Sequence, residues 1–597
     1  MSTATDTYVL LRAFVDELAR CGMRAACTAP GSRCAPLVLT LAREPRVRSY
    51  SHVDERCAGF FALGLAKASG LPVAVACTSG TAAAELLPAA IEAHEARVPL
   101  LLLTADRPPE LRDVGAGQAI DQLKLYGAAA KWFFEVGTHD ASARSLAWMR
   151  TLACRAYATA LEGRPGVVHL NFPLREPLVP HADLPGDMTA RADGSPYVAR
   201  VHEPAREPHA EDLRELVASA RRGVIVMGRE ERLPAHGERS VSELAAELAS
   251  AAGWPLLADP LARARRGDAA VAHYDAVLRS AQFRERVEPD LVLRLGDLPT
   301  SNPLRAWLAG VRSARQVALD PEGAWQDPDS VLARSFALDA RAALSAATRS
   351  AARSDEDWLQ TWRSADERAA EAIRAALPPD ELSEPAVAAE LGVLLPACAT
   401  LFVSSSMPVR DIESFWPVRE DPPRVLCNRG ANGIDGVVSS AFGAAAADDR
   451  PSVLLIGDVA LAHDVGGLLA ASRQSLALAI VLLDNLGGGI FDFLPVAGAQ
   501  IAREPDAHAL GDAGPEYAGG AEDLYTRHIA TPTGLDFAAV AGLYGLAYEQ
   551  PRDVREFRGA LEQALAANGT TLIHVRGERE RNAQLHEQVW AAVERAL

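Results

Sequence analysis

The sequence predicts an α/β protein of three doubly wound parallel-sheet domains, and three observations carry that reading. At 597 residues the chain is too long for a single hydrophobic core. Short apolar runs alternate with longer helical patterns throughout, as expected of parallel strands joined by crossover helices. Two distant segments also repeat one order of strand, small-residue turn, helix and strand. They are "VACTSGTAAAELLPAAIEAHEARVPLLLLTAD" and "LLIGDVALAHDVGGLLAASRQSLALAIVLLDN", in which Thr78 to Ala105 and Asp458 to Asn485 are both spaced by 27 residues.

Residues 1–185 form the first expected domain. Val9, Leu10, Phe14 and Leu18 follow helical spacing, and this N-terminus lacks the basic start and long apolar core of a signal peptide. A strand and a serine-containing loop follow in "CTAPGSRCAPL", and the block ends in "FPLREPLVPHADLPGDM", whose prolines and polar residues dilute the pattern as a linker does. The second domain, 190–350, offers strands at "GVIVMG", "LVLRLG" and "QVALD". The segment "RSDEDWLQTWRSADERAAEAIRAALPPDELSEP" reads as a charged connecting helix ending at Pro378. The third domain, 382–597, opens like the first, with a helix, a strand and the serine loop of "FVSSSMPVRD", which suggests a structural duplication.

Composition excludes several classes. A net charge of −18 disfavours nucleic acid or an anionic membrane as partner. No apolar run approaches the ~20 residues that span a bilayer. Eight cysteines without a C-x-x-C pair do not make a disulfide scaffold, so buried free thiols in a soluble, cytoplasmic chain are expected. Lysine occurs only at Lys67, Lys124 and Lys131, so in this arginine-rich chain a single arginine is weak evidence for a site.

The chemistry concentrates at strand ends, where doubly wound sheets bind ligands. The run "LALAIVLLD" reaches Asp484 and Asn485 and then meets Gly487, Gly488 and Gly489. Glycines so placed form a tight turn or let the backbone approach a ligand. Gly457 and Asp458 end the preceding strand. A carboxylate, an amide oxygen and a glycine carbonyl are hard ligands suited to Mg²⁺ that keeps positions for phosphate oxygens and water. A lone Gly-Asp is turn chemistry; the pair at this spacing is more specific.

That pattern resembles the cofactor motif of thiamine-diphosphate-dependent enzymes, with Val459 where a third glycine is usual. The resemblance implies that Asp458, Asn485 and the carbonyl of Gly487 hold Mg²⁺, or Mn²⁺ in its place, against the diphosphate beside Gly457. Glu55 stands between a strand end and a helix whose Ala58, Phe61 and Leu65 face inward. Alone it reads as an acid complementing a helix dipole. In the family, a glutamate there hydrogen-bonds the aminopyrimidine ring, and burial should raise its pKa. Ile434 matches the apolar wedge beneath the cofactor, against the plainer reading of a core isoleucine. Ile490, Phe491 and Leu494 match the pyrimidine pocket, against that of a hydrophobic helix start.

Further segments appear in order: "APGSRCAPL", "TADRPPELRDVGAGQAIDQ", "SSSMPVRD", "NRGANGIDG" and "DNLGGGIFDFLP". Nearly end to end, the chain is similar to the family of 2-succinyl-5-enolpyruvyl-6-hydroxy-3-cyclohexene-1-carboxylate synthases of menaquinone biosynthesis. The resemblance implies decarboxylation of 2-oxoglutarate and conjugate addition of the resulting carbanion to isochorismate. It also implies a homodimer or a tetramer of dimers, with Glu55 of one chain meeting the cofactor held by Asp458 of another. Arg33, Arg107, Arg410 and Arg429 fall in loops at strand ends and suit dicarboxylate substrates, because guanidinium binds carboxylate bidentately. Ser32, Gln118 and Ser406 add neutral hydrogen bonds. Two departures stand out. Ser301, Asn302 and Pro303 occupy a stretch of the middle domain where the family often carries basic residues, with Arg305 as a substitute, and the loop 496–528 is long. Another thiamine-dependent 2-oxo acid decarboxylase or an acetohydroxyacid synthase fits the arginines and "TADRPPEL" less well. A non-catalytic binding protein on the same scaffold would be expected to have lost Glu55 or Asp458.

Overall fold

Each apolar run singled out above becomes a parallel strand. The computed structural model describes residues 4–179, 189–200, 210–232, 234, 237–504 and 523–597. The expected boundary near residue 185 and residues 505–522 of the long loop lie outside them. The chain divides into two units: residues 1–205 with 428–449 and 464–476, and residues 206–427 with 450–463 and 477–597.

The first unit is built on a six-stranded sheet. Its strands are β1 (Ala25–Thr28), β2 (Arg48–Ser51), β3 (Val73–Cys77), β4 (Leu100–Asp106), β5 (Ala130–Glu135) and β6 (Val167–Pro173), in the order β2-β1-β3-β4-β6-β5. All pairs are parallel. Strands β3, β4 and β6 are buried along their whole length. Strand β3 is apolar throughout, while the polar residues of β4 and β6 satisfy one another, Thr104 Oγ1 with His169 and Asn171, and Asn171 Nδ2 with Asp106. The spacing of Val9, Leu10, Phe14 and Leu18 does mark a helix, Ala4–Cys21, and Phe14 meets Phe172 of β6 edge-on at 5.5 Å.

The helix Glu55–Ser69 is buried on all sides from Cys57 to Ala68, not along one stripe. Its outer side is covered by the helix Val437–Ala445, which by sequence belongs to the third block yet packs within the first unit. Glycines let the two backbones touch. A Cβ on Gly64 would lie 1.8 Å from the Ser440 carbonyl oxygen, and one on Gly443 would lie 1.9 Å from that of Phe61.

The second unit holds two sheets. One comprises β7 (Gly223–Met227), β8 (Leu256–Ala258), β9 (Leu291–Leu295), β10 (Arg315–Leu319) and β11 (Leu332–Phe336), in the order β11-β10-β9-β7-β8. The other comprises β12 (Thr400–Val403), β13 (Arg424–Cys427), β14 (Ser452–Gly457), β15 (Ala479–Asp484), β16 (Ala547–Glu549) and β17 (Thr571–Arg576), in the order β13-β12-β14-β15-β17-β16. Adding eleven to each strand number of the first sheet gives the order of this one. Both therefore reverse direction at one crevice, β1/β3 and β12/β14, the kind of switch point where doubly wound sheets bind ligands.

The connecting segment forms the helix Trp358–Ala376, with Trp362 inserted against Phe283 and Trp307. Among the described residues no helix is long and apolar enough to cross a membrane. The eight cysteines are free thiols, six of them buried, with Cys21 part-buried and Cys398 exposed.

Candidate functional site

In the first unit the loop after β1 presses on the end of β3: a Cβ on Gly31 would meet that of Thr78 at 2.4 Å. This close approach sets Ser32, which is exposed, and Arg33, which is buried, beside the strand ends. Arg33 donates to the Leu174 carbonyl at 2.8 Å and to Glu176 at 3.0 Å. Arg107 follows β4; its Nη1 donates to Ser79 Oγ and its Nη2 to the Gly117 carbonyl at 2.8 Å. Gln118, in the left-handed region at φ 58°, donates to the Ser79 carbonyl at 3.2 Å and accepts from Ser79 Oγ at 2.9 Å. Burial, and then the charge of Arg33, disfavour the protonated Arg107. The Glu176 carboxylate, paired with Arg33, and the Asp106 carboxylate offset that repulsion. Ser79, which joins Arg107 to Gln118, is a site residue that sequence reasoning missed; the Ser-Gly after β3 was its only signal.

Glu55 opens the helix Glu55–Ser69, capped by Asp54, whose side chain accepts from Cys57 N at 3.1 Å. Burial raises the Glu55 pKa, and the charges of Asp54 and Glu85 add to the effect. Its own charge reaches the thiols of Cys34 and Cys77, which places it at the same β1/β3 crevice.

Arg429 and Ile434 sit on a separate loop of this unit, both half-buried. Glu92 pins that loop, accepting from Gly430 N at 2.9 Å and from Ala431 N at 2.6 Å. Lys67 lies 3.6 Å from the Glu92 carboxylate, and each of the two is only 3% exposed. Neither Glu92 nor Lys67 was legible as part of a site.

In the second unit, Ser406 begins the helix Met407–Phe415 at φ 74°, and Arg410 donates back to the Ser406 carbonyl at 2.5 Å. Asp458 follows Gly457 at the end of β14, is 2% exposed, and accepts from Gly487 N through Oδ2 at 2.8 Å. Asn485, just past β15, donates Nδ2 to Glu384 at 2.7 Å, while its Oδ1 is buried without a partner. Gly487 has φ 131°, and a Cβ there would strike the Ala530 carbonyl at 2.5 Å, so this turn requires glycine. Arg579 donates to the Leu486 carbonyl at 2.6 Å and holds the turn from behind. Ile490 and Phe491 lie half-buried in the 3₁₀ turn Gly489–Phe493, and Leu494 is 47% exposed.

This cluster tests well as a cation site. Burial, and then the charge of Asp484, push Asp458 up to about 7. Asn485 Oδ1 is an orphaned buried acceptor, and a Cβ on Gly457 would enter open space. A buried carboxylate and an unpartnered buried amide oxygen on adjacent strand ends suit a hard divalent cation. Behind them lies a group that sequence reasoning missed. Glu384 is pushed up to about 8 by burial and then by Asp411, whose Oδ1 meets His586 Nε2 at 2.9 Å. In the middle sheet's surroundings, Ser301 caps the helix Asn302–Gly310 and donates to Asp275 at 2.7 Å; Arg305 lies half-buried on that helix.

Three family models match the chain. "Thiamine pyrophosphate enzyme, N-terminal TPP binding domain" covers residues 10–125, "Middle domain of thiamine pyrophosphate" 191–403, and "Thiamine pyrophosphate enzyme, C-terminal TPP binding domain" 409–575. The chain is 42% identical to 2-succinyl-5-enolpyruvyl-6-hydroxy-3-cyclohexene-1-carboxylate synthase of Geobacillus kaustophilus (strain HTA426), over 100% of this chain and 99% of the relative. It is 43% identical to the synthase of Geobacillus thermodenitrificans (strain NG80-2), over 100% and 98%. It is 41% identical to that of Chloroflexus aurantiacus, over 98% and 96%. Crevices repeated on two sheets, an acceptor cluster fit for a metal, and likeness along the full length lead to one assignment: the chain belongs to the 2-succinyl-5-enolpyruvyl-6-hydroxy-3-cyclohexene-1-carboxylate synthase family of thiamine-pyrophosphate-dependent enzymes.

Proposed function

We propose that the protein decarboxylates 2-oxoglutarate and adds the resulting four-carbon unit to isochorismate, in menaquinone biosynthesis in the cytoplasm. The relatives' name supports it, since their product carries a succinyl and an enolpyruvyl group. The observation that carries it in this chain is the gathering of two guanidinium groups, Arg33 and Arg107, with Glu55 at the strand ends of the first sheet, where Arg107 is held by Ser79 and the Gly117 carbonyl. Guanidinium forks suit the carboxylates of both substrates.

Residues 1–185 would take the pyrimidine end of the cofactor, 382–597 its diphosphate and metal, with 190–350 between. Asp458, Asn485 and the Gly487 carbonyl hold Mg²⁺, or Mn²⁺ in its place; Gly457, Ser406, Ile434, Ile490, Phe491 and Leu494 line the cofactor. Thiamine diphosphate, when bound, supplies the electron sink for decarboxylation. Glu55 holds a proton at its carboxyl oxygen near neutral pH more readily than an exposed acid, because burial favours its neutral form. Arg33, Arg107, Arg410 and Arg429 bind substrate carboxylates, and Ser32 and Gln118 fix their orientation. The assembly is a homodimer, or a tetramer built from dimers, in which Glu55 and Asp458 of different chains complete one site.

The test is an assay of 2-oxoglutarate with isochorismate, with and without thiamine diphosphate and Mg²⁺. Coupled CO₂ release and product formation requiring all four components is expected. Turnover of a different 2-oxo acid with no use of isochorismate would overturn the proposal.

A further inference from the structure

The geometry points to Glu384 as a positioning residue that decides which end of the Asn485 amide faces the metal; the inference rests on the reading of Asn485 as a ligand. The two ends of an amide are nearly alike in shape, yet one only donates and only the oxygen can ligate a cation. Here Nδ2 is engaged by Glu384 Oε1 at 2.7 Å, and Oδ1 is the end left buried and unpartnered. Asp458 is treated in the same way, since one of its oxygens is occupied by Gly487 N.

Glu384 is itself held in place. It opens the helix Glu384–Leu394, whose cap residue Ser383 accepts from Ala386 N, and it is only 7% exposed. The Asp411 carboxyl faces it, and Asp411 is braced by His586, whose Nδ1 meets the Asn582 carbonyl at 2.9 Å. The ring of Phe493 packs edge-on against His586 at 5.2 Å. An acid in the first turn of a helix usually serves the helix dipole and faces water. This one is buried, and its named partner is the side chain whose orientation the site needs.

Mn²⁺ titration of the full-length protein at saturating thiamine diphosphate, with free Mn²⁺ read by electron paramagnetic resonance, tests the role. Glu384→Leu should weaken Mn²⁺ binding on the order of 10–100-fold, as loss of a residue that orients a ligand does. Glu384→Gln should stay within about threefold, because its carbonyl still accepts from Asn485. In an Asn485→Asp background both ends can ligate, so adding Glu384→Leu should cost little. A residue serving only the fold would cost the same in both backgrounds. Glu384→Ala replaces the leucine variant if that one fails to fold. Wild-type Mn²⁺ affinity in a folded Glu384→Leu protein, or equal losses in both backgrounds, would overturn the inference. Asn485→Ala separates the two readings. Normal Mn²⁺ binding there removes Asn485 as a ligand, whereas weak binding there with normal binding in Glu384→Leu removes only the positioning role.

Discussion

Gly64 and Ser440 stand so close that a Cβ on the glycine would lie 1.8 Å from the serine carbonyl oxygen. Glu55 begins the helix that Gly64 belongs to, so this contact helps seat the crevice acid. Gly64→Ala must push two backbones apart and should cost about 1–3 kcal/mol or more. Gly559→Ala, in the helix Val554–Ala566 with open space around it, should be neutral or stabilise by about 0.4–1 kcal/mol. Thermal unfolding of both variants checks the contrast.

Glu92→Ala releases Gly430 N and Ala431 N and removes the buried carboxylate 3.6 Å from Lys67. The expected loss is about 1–3 kcal/mol or more, as for buried donors left unsatisfied. Hydrogen exchange should quicken at residues 430 and 431, and substrate KM should rise through the loop that carries Arg429. Unchanged exchange would separate Glu92 from the loop.

Glu55→Gln should retain cofactor binding and lose nearly all turnover, since an amide cannot share a proton with the ring. Asp458→Ala should weaken Mg²⁺ and cofactor binding, which calorimetric titration reads directly. Mixing the two inactive variants under subunit exchange should restore part of the activity. Heterodimers that stay inactive would place both residues in one chain's site.

Arg410→Ala should lower catalytic efficiency by about 2–5 kcal/mol of transition-state binding, with cofactor affinity nearly unchanged. Arg410→Lys should recover only part, because the ammonium keeps charge and loses the planar fork. Steady-state kinetics with each substrate varied in turn decides it; wild-type efficiency in the alanine variant would make Arg410 a surface residue.

Asp464 is fully buried, accepts from Ser439 N at 2.7 Å, and is pushed by burial from 3.8 to about 6. The folded chain therefore holds a proton that the unfolded chain releases between those values. Stability from this group is complete below pH 3.8 and falls as pH rises through about 6. Asp464→Asn removes that slope. Relative to the parent, the variant should gain about 2 kcal/mol between pH 4 and pH 7. Unfolding midpoints measured across that range test the sign.

Much of this was readable from the residues alone. Strand β7 is wholly buried and its sequence is an unbroken apolar run; β9 is buried with one interruption at Arg294, and β10 keeps its apolar stretch to Val317–Leu319. Strands β5, β11 and β16 are sheet edges, part-exposed and mixed in composition, and they carry no such signal. Asp458 and Asn485 were legible because a strand end fixes their spacing. Glu92 was not, because its partners lie 338 and 339 residues away. Glu384 looked like any acid in a first helical turn. The packing of Val437–Ala445 on the Glu55 helix was hidden for the same reason as Glu92: it depends on glycines whose neighbours are remote in sequence.

The identical strand orders of the first and third sheets give the chain two copies of one crevice furnished with different loop residues. Arg33, Arg107 and Glu55 stand at the first, with Arg33 paired to Glu176, while Asp458 and the unpartnered Asn485 oxygen form an acceptor cluster beyond β14 and β15 of the other sheet. One strand order thus serves two different sets of side chains, carried on the loops beyond the strands. Redirecting substrate choice by engineering should therefore succeed at the rim of β1, β3 and β4, leaving the acceptor cluster beyond β14 and β15 untouched.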